Sequence, residues 1–179
     1  MVRSFLKTSA ILHKAISKGL MIIEPLEGAS KLSYKARIYQ SLVCNVYALL
    51  DNDDEGRRGY DEAVASNLVT DKEVRFASLL GYKNSEFEDL LEAGAYKNEI
   101  EEKYNILLRG NVFRNSKFKW SDRIKKVFIK NGARFDDAVE MEVKDLVAEK
   151  VQRIGMRALS KNGKMVIKSF IAFLEKKVS

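Results

Sequence analysis

The run Asp51-Asn52-Asp53-Asp54-Glu55-Gly56-Arg57 gathers hard oxygen donors in a spacing that suits a cation. Two aspartates one residue apart at a strand end point the same way, because side chains alternate with a period of two. Asp51 and Asp53 are expected to converge on one ion, and carboxylate oxygens favour magnesium or manganese. Gly56 lets the chain turn, and Gly56-Arg57-Arg58 can open a helix whose amino end attracts phosphate. Asp54 and Glu55 are assigned to capping that helix or to outer-sphere water. Two further acidic positions also follow predicted strands: Glu27, with Glu24 as a competitor, and the segment Glu86-Phe87-Glu88-Asp89.

Other chemistries have little material to work with. Cys44 is the one cysteine in 179 residues, so an internal disulfide and a cysteine zinc site are excluded. Its place in the apolar stretch from Leu42 to Leu50 predicts a buried, inert thiol. His13, the one histidine, is expected on a solvated helix face, leaving no basis for a histidine metal site or a Ser-His-Asp triad. No phosphate-loop motif is present, so ATP hydrolysis is not expected. No apolar run reaches membrane-spanning length. Polar residues soon interrupt the basic amino terminus, and a cytoplasmic location is the expectation.

Charge is unevenly spread beneath a net +7. Residues 1–50 carry 7 basic and 2 acidic side chains; residues 51–102 carry 6 and 15; residues 103–179 carry 19 and 8. The nets are +5, −9 and +11, an acidic centre between basic flanks. Such a pattern suits divalent cations at the middle and a polyanion around them, although solvated helix faces produce it too.

Positioning these groups requires an α/β arrangement. Residues 4–18 read as a helix stopped by Gly19, and Leu20-Met21-Ile22-Ile23 as a buried strand. Residues 30–41 read as a helix capped by Ser30 or Ser33. Val43–Leu50 reads as a strand feeding the acidic loop, Gly59–Leu68 as helix, and Glu73–Leu80 as a third strand. Alternating strands and helices predict a parallel sheet, whose functional groups gather at the strands' carboxyl ends. Helices follow: one capped by Ser121 and running through Ile129, one over Phe135–Ile154, one over Gly163–Val178. The division predicted is an N-terminal helix or linker at 1–19, a catalytic core at 20–103 and a basic helical region at 104–179.

Glu27-Gly28, one predicted helix, and then Asp51-Asn52-Asp53-Asp54-Glu55-Gly56 resemble the Toprim family motif, a strand-end Glu-Gly followed by Asp-x-Asp-x-x-Gly. Lys31 departs from it, standing where the family often has aspartate. Glu86-Phe87-Glu88-Asp89-Leu90-Leu91 and Lys117-Phe118-Lys119-Trp120-Ser121-Asp122-Arg123 are similar to later segments of the OLD (overcoming lysogenization defect) nucleases. The resemblance spans roughly residues 20–150. It implies a Toprim-like parallel sheet flanked by helices, with a helical C-terminal extension, and DNA cleavage by two Mg2+ or Mn2+ ions. Glu27, Asp51 and Asp53 would hold one ion and Glu86 and Glu88 the second, with Lys119 at the scissile phosphate. Arg57, Arg58, Lys125, Lys126 and Lys130 are the candidates for DNA backbone contacts, each otherwise an ordinary surface charge. Trp120 is assigned to packing. The same resemblance implies phage defence beside an OLD-type ATPase domain or subunit; a homodimer is left open.

Two rivals belong beside it. Lys31 favours a non-catalytic nucleic-acid-binding module. Asp51, Asp53, Glu55, Gly56 and Glu62 match positions 1, 3, 5, 6 and 12 of a calcium-binding EF-hand, though Arg58 falls where that loop wants an apolar residue.

Overall fold

The computed structural model describes residues 1–178 as a mixed α/β chain that is mostly helical. Two short helices, α1 (Val2–Leu6) and α2 (Ala10–Ser17), replace the single predicted one. The break has a local cause: Ser9 leaves helical geometry and accepts a hydrogen bond from the amide of Leu12, capping α2. His13 is exposed there, as expected. Next come α3 (Leu32–Ser41), β1 (Ala48–Leu50), α4 (Asp54–Ala65) and β2 (Val74–Phe76). Neither Ser30 nor Ser33 caps α3, whose N-cap is Lys31 without a side-chain bond.

β1 and β2 pair in parallel, Ala48 opposite Val74 and Leu50 opposite Phe76, with α4 as the crossover. The predicted strand at Leu20–Ile23 does not form. Met21 and Ile23 pack against the core, but Leu20 and Ile22 remain 76% and 74% exposed. Among the described residues no neighbour completes a ladder with that segment, and a strand cannot exist without one. Val43 lies at φ 61°, in the left-handed region, so the predicted 43–50 strand begins only at Ala48. That turn leaves Cys44 exposed, correcting the buried thiol inferred from the apolar run.

β1 buries both faces. Tyr47 and Leu49 face the larger apolar cluster, whereas Val46, Ala48 and Leu50 face a smaller one with Leu32, Ala36, Ala63 and Val74. The larger cluster draws Phe5 and Leu12, Leu90 and Ile100, and Trp120, Phe128, Val147 and Ile167, so all three sequence regions feed it. Trp120 is fully buried, and its indole N–H donates to the Tyr96 hydroxyl. Two smaller helices, α5 (Lys97–Tyr104) and α6 (Gly110–Phe113), lead to α7 (Trp120–Lys130), α8 (Asp137–Ile154) and α9 (Lys161–Val178). No helix among the described residues is long and apolar enough to cross a membrane.

Candidate active site

Past Leu50 the chain leaves the sheet, and Asn52 forms an isolated antiparallel bridge with Ser85. Its two backbone hydrogen bonds, 2.8 and 2.9 Å, dock the acidic loop against the segment carrying Glu86. The Ser85 hydroxyl fixes this segment to the chain just past β2 by donating to the Ala77 carbonyl at 2.7 Å. Acidic residues more than thirty positions apart are thereby held side by side.

Asp53 is the N-cap of α4. Its Oδ1 accepts from the Gly56 amide at 2.9 Å and its Oδ2 from Lys119 Nζ at 2.8 Å. Burial would raise its pKa, but these partners outweigh burial and hold the carboxyl below its usual range. Gly56 is required by close approach: a Cβ there would stand 2.0 Å from the Asp51 carbonyl oxygen. Asp51, half-buried, accepts the Phe87 amide at 2.7 Å. Burial, reinforced by Glu86 and Asp53, pushes its carboxyl up to about 6.

Glu86 is 3% exposed, and its carboxylate accepts the amide of Ser121 at 2.7 Å and the Ser121 hydroxyl at 2.9 Å. Ser121 thus serves the acidic site, while the N-cap position of α7 falls to Lys119. The Lys119 ammonium stands between Asp53 and Glu86, 3.2 Å from the latter. Burial opposes its charge, yet the two carboxylates raise its pKa. Glu88, 6% exposed, is pushed up to about 7 by burial, with Lys144 opposing and Asp51 and Glu86 adding. Asp89 organises the turn: it accepts from the amides of Glu86 and Trp120, and Arg123 donates to its other oxygen.

Asp51, Asp53, Glu86, Glu88 and Lys119 are therefore brought together. Glu27 is not. It lies at φ 60°, is exposed, and pairs with Lys31 at 3.3 Å. Among the described residues no hydrogen bond or ion pair joins it to Asp51 or Asp53. Its loop nonetheless abuts the site's helix, since a Cβ on Gly59 would meet the Ala29 carbonyl oxygen at 2.4 Å. Glu24 is engaged with Lys35 at 2.8 Å.

Of the basic candidates, Arg57 braces the acidic loop, donating to Asn52, Asp54 and Asn84. Its guanidinium is committed within the protein. Arg58, Lys125, Lys126 and Lys130 are exposed, and the Lys126 ammonium sits over the Phe118 ring. Sequence reasoning missed Lys144. It reaches Glu86 at 3.8 Å from α8 while pairing with Glu140 at 2.8 Å, an i,i+4 spacing that looks like an ordinary solvated face.

Burial is the main cause of the raised values of Asp51 and Glu88, and the Glu86 carboxylate adds to both. The oxygen donors of this cluster are of the kind that suits a hard divalent ion. Among the described residues no three acidic groups are arranged to hold a metal ion, and the Lys119 ammonium lies between Asp53 and Glu86. The loop before α4 leaves a strand, not an entering helix, so the EF-hand arrangement is not adopted. No protein-family model, curated protein or solved structure matches the chain.

Proposed function

We propose that this protein is a metal-dependent DNA endonuclease of the Toprim type, a phosphodiester hydrolase of an OLD-type phage-defence system using Mg2+ or Mn2+. The observation supporting it best is the meeting of Asp51, Asp53, Glu86, Glu88 and Lys119 through the Asn52–Ser85 bridge. Asp51, Asp53, Glu86 and Glu88 are the residues to hold the ions. Bound there, such ions would supply Lewis acidity toward the phosphate and lower the pKa of a coordinated water. Lys119, freed from its carboxylates, is the side chain to oppose charge developing on the phosphate. Asp89 and Arg123 keep Glu86 and the start of α7 in register.

Nicking of supercoiled plasmid in Mg2+ or Mn2+ tests this. Cleavage by the wild type, its loss in Asp51→Asn and Lys119→Met, and its loss in EDTA support the nuclease. DNA binding without cleavage under any of these metals selects the non-catalytic module. The Glu27–Lys31 pair is the observation that favours that second reading, since it occupies the glutamate the motif needs.

A further inference from the structure

A cleft of about 390 Å³ lies between the start of β2 and the last turns of α9, lined by Lys72, Arg75, Phe173, Lys176 and Lys177. It is at the far end of the sheet from the acidic site: Asp51 follows the carboxyl end of β1, whereas Lys72 precedes the amino end of its parallel neighbour. Four cations meet here from positions about a hundred residues apart. Among the described residues none of them forms an ion pair with a carboxylate, unlike Lys31, Lys35, Lys103 and Lys150 elsewhere. Glu73, which also lies within electrostatic reach of Lys72 and Lys177, has its carboxylate hydrogen-bonded by the amide and hydroxyl of Thr70.

Arg75 is preorganised. Its guanidinium lies 4.0 Å over the Phe173 ring, and one terminal nitrogen donates to the carbonyls of Asp71 and Val74. Of the guanidinium's five N–H groups, the remaining three have no acceptor among the described residues. A planar fork with a fixed orientation and unspent donors recognises phosphate oxygens well. Lys177, near the Tyr47 and Phe173 rings at 5.6 and 5.7 Å, supplies a neighbouring ammonium.

We infer that this cleft binds the sugar–phosphate backbone of a nucleic acid strand, apart from the acidic site. A recess with cations on both walls suits a strand of phosphates. A membrane surface instead asks for a protruding apolar face, and the one large apolar side chain here, Phe173, is covered by Arg75. The inference concerns binding alone and does not depend on cleavage.

Anisotropy of a fluorescent 20-nucleotide single-stranded DNA, in EDTA across a salt series, tests it. Relative to wild type, Lys72→Glu/Lys176→Glu is expected to bind more weakly and to flatten the plot of log affinity against log salt by about 1.4, roughly 0.7 per lost contact. Melting of each variant checks its fold; should that pair not fold, Lys72→Gln/Lys177→Gln is read in the same way. Unchanged affinity and slope overturn the assignment. So does loss confined to Lys125→Glu/Lys130→Glu, which would place the strand along α7. Binding to phosphatidylserine vesicles with none to the oligonucleotide overturns it as well.

Discussion

Glu88 is a carboxyl group held where its charge is unwelcome, and removing that charge should stabilise the metal-free protein. Burial raises its pKa from 4.5 to about 7. The folded state thus holds this proton more tightly than the unfolded chain does. Its stabilising contribution is complete below pH 4.5 and disappears as pH rises through 7. At about 1.4 kcal/mol per pH unit, the displacement amounts to roughly 3 kcal/mol. Glutamine cannot titrate, so the Glu88→Gln variant escapes that loss. Urea unfolding of both proteins in EDTA, at pH 4.5 and pH 8, measures the difference. Between those values the balance should move by about 3 kcal/mol in the variant's favour, or about 6–12 °C in melting temperature for a chain of this size. Asp51 titrates in both proteins, so to first order its share cancels. A difference between the two proteins that stays constant with pH would refute the claim that Glu88 is desolvated beside Asp51 and Glu86.

Gly56→Ala places a methyl group 2.0 Å from the Asp51 carbonyl oxygen. Denaturant unfolding should show a loss of about 1–3 kcal/mol, with the start of α4 displaced. Arg123→Met strips Asp89 of its buried partner. A loss of about 3–5 kcal/mol at neutral pH is expected by the same measurement, and Asp89→Asn in the same protein should restore part of it.

Much of the helical architecture is legible locally. Val139, Val143, Leu146, Val147 and Val151 announce α8, and Asp136 caps it through the Val139 amide. Strands were harder, because a ladder depends on a partner elsewhere in the chain: Leu20–Ile23 has the composition of a strand and no neighbour. The aspartate spacing drew attention to one half of the candidate site. The other half was reached through the resemblance of the Glu86 and Lys119 segments, and the Asn52–Ser85 bridge that joins the halves has no sequence signal. Lys144 was invisible because its i,i+4 partner Glu140 disguises it as surface charge. Glu27 shows the converse: a motif places a residue on a loop, but Lys31 within reach decides where its carboxylate goes.

β1 separates two apolar clusters, and this arrangement has a mechanical consequence. Asp51 and Asp53 ride on the strand and helix of the smaller cluster, while Glu86, Glu88, Lys119 and Lys144 belong to segments that pack on the larger. The acidic centre consequently straddles a seam, and its geometry is set by how two packed bodies abut. A core substitution such as Ala63→Val or Ile124→Val, distant in chemistry from any carboxylate, can alter the Asp53–Lys119 separation without touching either residue.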